Sequence, residues 1–219
     1  MARNINSVTV AGLAEYAGPN LRRRQLLDTA VRVVKRTGGH QVSMQAMARE
    51  AGVSVGLLYK YFDSKDDILL AAVVDILDDF QSQLQLAVES AGTDPVDRFV
   101  AGFKHCCETV DSNPAVAVLT YSESRIFDEA RRDQIRTLEI DTMRVLRNAI
   151  KEGVAKGMMI SVDIDLMVVN AIVLAHGWTL KRWHFGNQRT IGSYIDAQTS
   201  LLLQSLLTGQ ALYRYRHLL

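Results

Sequence analysis

Apolar positions fall three and four residues apart along most of this chain, the spacing that gathers side chains on one face of an α-helix. From Leu21 onward, Leu26, Leu27, Ala30, Val31 and Val34 form such a face, and Gly38-Gly39 closes the segment as glycines past a helix end do. Residues 1–19 mix small and polar side chains without a clean period and read as a mobile arm. Ser43 caps a short helix that stops at Gly52, and Ser54 caps a second one running to about Phe62. Ser64-Lys65-Asp66-Asp67 has the Ser-x-x-Asp form of a capping box. It opens a long helix with Ile68, Ala72, Ile76, Phe80, Leu84 and Val88 at four-residue steps. Ala91-Gly92 breaks that pattern, and Asp94-Pro95 restarts it as N-cap and first helical residue. Val96, Phe99, Val100, Phe103, Cys107 and Val110 follow at helical spacing up to the next stop at Asn113-Pro114. Residues 128–156 predict a further helix, carrying Ile135, Leu138, Met143, Leu146 and Ile150.

The last two segments, about 163–186 and 191–209, are of another kind. No charged residue stands between Asp165 and Lys181, nor between Asp196 and Arg214. Helices apolar over most of their circumference must be covered on more than one side. Asn170, His176, Gln198, Ser200 and Gln204 interrupt them, and they are shorter than the roughly 20 apolar residues a membrane span needs. Two such helices in succession predict a subunit interface. With no strand-like alternation and no repeat, the fold expected is all-α.

The composition, 48% apolar and 22% charged, is that of a globular protein. The two cysteines, Cys106 and Cys107, are adjacent, which excludes a disulfide framework and suggests a reducing cytoplasm. No signal-peptide pattern is visible in the first twenty residues. Charge changes the picture more. Residues 1–62 hold nine Lys/Arg against three Asp/Glu, whereas the remainder holds sixteen against twenty-one. A basic end joined to an acidic body fits a nucleic-acid-binding unit attached to a part with another task, although a solvated basic face would look similar.

The window SMQAMAREAGVSVGLLYKYFDSK, from Ser43 to Lys65, carries the function. Two short helices joined at Gly52 fit a helix-turn-helix, in which glycine takes the left-handed turn conformation. Ala48 is small where the helices cross, and Met47, Ala51, Val53 and Leu58 supply the inward apolar set. The run AREAGVSVGLLYKYFDSKDDIL resembles the DNA-binding domain of the TetR family of bacterial transcriptional regulators, matching at Ala48, Ala51-Gly52-Val53-Ser54, Leu58-Tyr59-x-Tyr61-Phe62 and Ser64-Lys65. With the basic helix before it, this motif covers about the first third of the chain. The organisation then expected is an arm over 1–19, a three-helix DNA-binding domain over 20–66 and an effector-binding and dimerisation domain over 67–219.

The resemblance places Val55 and Gly56 at the first exposed positions of the recognition helix. It implies that Tyr59 and Tyr61 touch phosphate, sugar or thymine methyl groups, that Lys60 reaches a base edge or phosphate, and that Ser43 and Gln45 meet phosphate and base. Two residues spaced by two cannot both face the core, so at least one tyrosine is available to DNA. Ser43 and Ser54 are helix caps first and phosphate contacts second. Lys65 stands at a helix N-terminus, where backbone N–H groups and an ammonium together make a phosphate site. Arg22, Arg23 and Arg24, read as the first turn of a helix, oppose its dipole. That unfavourable placement without a local partner suggests the DNA backbone as their counter-ion; a solvated basic turn is the plainer reading.

Family resemblance also implies a two-fold dimer on a palindromic operator, formed through the two C-terminal helices, and an effector pocket among helices of about 94–187. The candidate lining residues are Phe99, Phe103, Tyr121, Arg125, Met143, Trp178 and Trp183. The stretches TYSESRIFDEARR and HGWTLKRWHF are similar to the branch of the family that senses acyl-CoA thioesters of lipid or steroid breakdown. The function expected is thus a ligand-responsive repressor. The alternative is a DNA-binding regulator or architectural protein without an effector. A helical enzyme is the third reading, and no P-loop, dinucleotide motif or nucleophile elbow supports it. No cofactor is implied. His105-Cys106-Cys107-Glu108 contains metal-ligand types, but consecutive helical residues point to different faces, so no metal is expected.

Overall fold

The computed structural model describes residues 10–37, 42–114, 117, 127–186 and 188–219, with side chains from residue 20 onward. Its helices are α1 (Val10–Thr37), α2 (Met44–Ala51), α3 (Val55–Tyr61), α4 (Lys65–Ser90), α5 (Pro95–Ser112), α6 (Glu129–Ala155), α7 (Ile164–Leu180), α8 (Arg182–Phe185), α9 (Ile191–Leu206) and α10 (Gly209–Arg214), followed by a 3-10 turn over Arg216–Leu218. Among the described residues there is no β-strand; a lone bridge between Met159 and Leu207 ties the α6–α7 connection to the end of α9. No described helix is long and apolar enough to cross a membrane.

Local side-chain chemistry sets most helix starts. Ser43, Ser54, Ser64, Asp94 and Asp128 each accept a hydrogen bond from a backbone N–H in the first turn that follows. At Ser64 the box is displaced by one residue, because the Asp67 carboxylate accepts from the N–H of Asp63 at 3.3 Å. Helix α1 departs from expectation. It begins at Val10 and not near Leu21, so half of the stretch read as an arm is helical, while 1–9 lie outside the described residues. Small, helix-favouring residues such as Ala11, Ala14 and Ala17 carry no amphipathic period and so gave no signal.

Two apolar cores divide the molecule. The first gathers Leu26, Ala30 and Val34 of α1, Met47 of α2, Leu58 of α3, and Ile68, Ala72 and Ile76 of α4, and takes in Phe127 and Ile135 from the start of α6. The second gathers Leu84 and Val88 of α4 with Phe99 and Phe103 of α5, Leu146 and Ile150 of α6, Ala171 and Ala175 of α7, and Leu203 and Leu206 of α9. Helix α4 therefore contributes to both. In the second core α5 and α6 approach so closely that a Cβ at Gly102 would collide with Leu146 Cδ2. The long apolar segment expected over 163–186 is broken at Lys181, which separates α7 from the single turn α8.

Candidate nucleic-acid interface and interior cavity

Helices α2 and α3 are joined by a tight turn at Gly52, whose φ of +64° lies in the left-handed region that a side chain disfavours. The Val53 N–H returns to the Ala48 carbonyl at 2.9 Å. Leu58 is fully buried beneath α3 and Ala48 is buried at the crossing, so the opposite side of α3 is fixed outward. That side presents Gly56, Tyr59 and Lys60, with Tyr59 53% exposed. Tyr61 and Val55 are half-buried against the first core. Of the two tyrosines, Tyr59 is thus the one turned to solvent, as the spacing argument required of one of them. Gln45, Ser54 and Lys65 are exposed and Ser43 is half-buried, all at the starts of their helices.

The reading of the arginine triplet as an unpartnered first helical turn needs correction. With α1 beginning at Val10, Arg22, Arg23 and Arg24 lie in mid-helix, where the terminal dipole does not reach, and each has a partner. Arg22 donates to Gln25 Oε1 at 3.0 Å, and the Arg23 guanidinium stacks 4.8 Å from the centre of the Phe62 ring. Arg24 pairs with Asp75 of α4 at 2.5 Å and with Asp28 at 2.8 Å. Arg24 thus fastens α1 to α4. Arg36 and Glu50 form a second such fastening, a two-pronged pair at 3.2 and 3.0 Å between α1 and α2 that holds the Glu50 carboxyl below its usual range. Nothing in the local sequence announced either pair, since the partners stand 51 and 14 residues apart.

A cavity of about 540 Å³ opens between α4, α5, α6 and α7. Its apolar walls include Ile76, Phe80, Val110, Met143, Ile172 and Val173. His105 and His176 also line it; the His105 ring stacks on Phe80 at 5.7 Å. Burial lowers the pKa of His105 and carries that of His176 down to about 4, so the imidazoles add no charge at neutral pH. Asp79, Glu108, Glu139 and Lys35 bring charge to the lining. Cys106 borders the cavity as well, but burial raises its thiol pKa strongly and that of Cys107 to about 12. Among the described residues no group of three or more His, Cys, Asp or Glu is placed to hold a metal ion.

Of the sequence candidates for this pocket, Met143 lines it. Phe99 and Phe103 are buried in the second core instead, because α5 turns Cys106 and Val110 to the cavity. Trp178 is buried too; its indole N–H donates to Asp111 at 2.7 Å and its ring packs on Tyr194. Trp183 is 76% exposed on α8, and Tyr121 and Arg125 lie outside the described residues. Ile76 with Phe80, Cys106 with Val110, and Ile172 with His176 stand four residues apart, so each pair shares a helix face, but that spacing does not tell a face that meets a void from one that meets a helix.

Comparison with known proteins agrees with this layout. Residues 26–72 match the family described as bacterial regulatory proteins, tetR family, and residues 92–185 match the tetracyclin repressor-like C-terminal domain. The HTH-type transcriptional regulator HbdR of Aromatoleum sp. (strain CIB) is 31% identical over 189 residues, covering 86% of this chain and 82% of its own. A transcriptional regulator of Saccharomonospora viridis, solved in complex with choline, superposes with a TM-score of 0.75 at 21% identity over 86% of this chain and 99% of its own. The regulator FadR of Bacillus subtilis, solved with stearoyl-CoA, gives a TM-score of 0.70 at 19% identity over 83% and 98%.

Proposed function

This chain belongs to the TetR family of bacterial transcriptional regulators, and from that premise we propose that it is a dimeric repressor released from a palindromic operator by a lipophilic effector, an acyl-CoA thioester. The observation that carries this reading is the presence in one chain of a helix α3 with Gly56, Tyr59 and Lys60 turned outward and an apolar cavity behind it. In this reading residues 20–66 form the DNA-binding unit. Tyr59 and Lys60 meet base edges in the major groove, whose floor distinguishes all four base pairs. Ser43, Gln45, Ser54 and Lys65 meet the backbone. Residues 67–219 bind effector and partner.

Dimerisation is supported by an exposed apolar stripe on α7, made by Leu166, Val169, Val173 and Leu180 at helical spacing, with Leu201 exposed on α9. Contiguous apolar surface of this kind marks a contact face, and a two-fold partner doubles the base contacts on a palindrome. The thioester assignment is supported by the apolar walls and by the stearoyl-CoA complex of the Bacillus subtilis protein. The choline complex of the Saccharomonospora viridis protein defines the competing effector class, which the rim carboxylates would suit.

Two measurements test the reading. Sedimentation at micromolar concentration is expected to give a dimer; a monomer would remove the interface. Gel-shift assays on the DNA upstream of the gene, with acyl-CoA thioesters of graded length and with choline, are expected to show release by a thioester. Release by choline alone would replace the effector class. Binding insensitive to every compound would favour a regulator without an effector.

A further inference from the structure

Lys35 lies in the last turn of α1 and lines two hollows at once, the interior cavity and a shallower cleft of about 510 Å³ between α1 and α4. Ile76 and Asp79 of α4 also line both. The cavity is therefore not confined to the second core, and it runs out beneath the seam that joins α1 to α4. The far end of that seam is held by the Arg24–Asp75 pair, both of whose members line the cleft.

At the near end Lys35 is the one cation among the cavity's described lining residues, beside the carboxylates of Asp79, Glu108 and Glu139. Glu108 faces Lys104 at 3.8 Å, Glu139 has contacts of its own, and Asp79 is exposed to water. Lys35 is half-buried and has neither an ion pair nor a hydrogen-bond partner among the described residues. The carbonyl end of α1 offsets only roughly half an elementary charge at that position. An ammonium at the wall of an apolar cavity meets an anion across a lower effective dielectric than bulk water offers, which strengthens their attraction.

We propose that Lys35 is an effector-contacting residue: an anionic group on a ligand seated in the cavity pairs with its ammonium, so that α1 itself forms one wall of the effector site. This rests on the reading of the cavity as that site. An apolar body lies against Phe80 and Met143, and the charged end turns toward the α1–α4 seam. The anion is a carboxylate or the phosphates of a thioester's carrier, which share the negative charge that Lys35 recognises. A ligand held this way binds more tightly to the α1–α4 arrangement that brings Lys35 to it, and so biases the helix that supports α2 and α3 without an intermediary.

The experiment titrates the full-length protein with dodecanoate, dodecanoyl-CoA and dodecanol, reading affinity by calorimetry, in the wild type and in K35Q, K35R, I172W and M143W. K35Q is expected to weaken one or both anionic probes about tenfold and dodecanol less than about twofold, with K35R retaining most of the anion affinity. Loss confined to dodecanoate identifies a carboxylate, and loss confined to dodecanoyl-CoA identifies the carrier phosphates. Unchanged anion affinity in K35Q, or an equal loss for all three probes, overturns the proposal. The tryptophan variants fill the cavity from α7 and from α6 and are expected to abolish binding of every probe. If they do so while K35Q is silent, the cavity reading stands and Lys35 alone is removed from it. If all probes bind both tryptophan variants as they bind the wild type, or fail to bind the wild type, the cavity reading falls and the inference with it.

Discussion

The first core turns its chemistry outward, whereas a cavity opens inward where the second core meets it. Around Leu58 and Met47 the packing is fully closed, and what remains for a partner is the outer side of α3 with Tyr59 and Lys60. Around Leu203 and Phe99 the packing is equally dense, and beside it Ile76, Phe80, Cys106 and Met143, from helices far apart in sequence, wall a cavity. A surface for DNA needs one short helix held rigidly at the correct angle, which local caps and one turn glycine achieve. A site for a small apolar molecule needs a void, and a void requires several helices that are each kept from collapsing onto it. The two regions nevertheless share α4, whose Ile68 and Ile76 belong to one core and Leu84 and Val88 to the other.

The largest expected effects probe that sharing. Leu58→Ala and Leu203→Ala each remove a fully buried side chain, one from each core. Each is expected to cost about 2–5 kcal/mol. Because α4 runs through both cores, each substitution should lower one common thermal transition in calorimetry. Two separate transitions, only one of them moved, would mean that the cores are independent and the comparison is sharper than drawn here.

Next in size is a pH dependence confined to the second region. The folded chain holds His176 neutral down to about pH 4, against an ordinary value of 6.5. The unfolded chain takes up that proton sooner, so stability is complete above about pH 6.5 and falls as the pH drops toward 4, by roughly 2–3 kcal/mol in all. Denaturant melts at pH 7 and pH 5 should diverge in the wild type and diverge less in His176→Gln, the remainder coming from groups such as His105 whose pKa burial also lowers. Equal divergence in both proteins would place the pH sensitivity elsewhere.

A smaller effect separates the outward site from the inward one. Lys60→Ala is expected to weaken operator binding about tenfold, with discrimination among bases reduced, and to leave the melting temperature within about 1 °C. A binding loss equal on every DNA sequence would assign Lys60 to the phosphate backbone. The smallest effects come from the arginine triplet. Arg22→Ala should flatten the salt dependence of DNA binding by about one unit of slope if that side chain exchanges Gln25 for phosphate. Arg24→Ala should leave the slope alone and lower stability by about 0.2–1 kcal/mol, as the loss of an exposed ion pair does. A reversal of these two outcomes would return Arg24 to the DNA interface.

What could be read from sequence follows the same division. Ser43, Gly52, Ser54, Ser64, Asp94 and Asp128 act on backbone groups within four residues, so their roles are written locally and the helices they start or stop were found. The motif around Ala48 and Leu58 is compact for the same reason. The cavity was not legible in that way. Phe99 and Phe103 looked suited to it because they are large and apolar, but a period identifies an apolar face without saying whether that face meets a neighbouring helix or a void. Its walls are chosen by how α4, α5, α6 and α7 cross, which no single helix encodes. Arg24 shows the same limit for charge: its partner Asp75 is supplied by another helix, and a mistaken helix start at Leu21 turned a structural pair into an apparent excess of cations.

The state of the two cysteines has a practical side. Cys106 and Cys107 are the chain's only thiols, and both are buried with their ionisation suppressed. Since the thiolate is the reacting species, neither competes for a maleimide or iodoacetamide dye at neutral pH. A cysteine introduced at an exposed position such as Asp63 or Ser90 would therefore take a fluorophore alone. Two such labels, one near α3 and one on the outer end of α4, would make the separation of the two regions a distance that can be followed in solution as DNA or a small molecule is added.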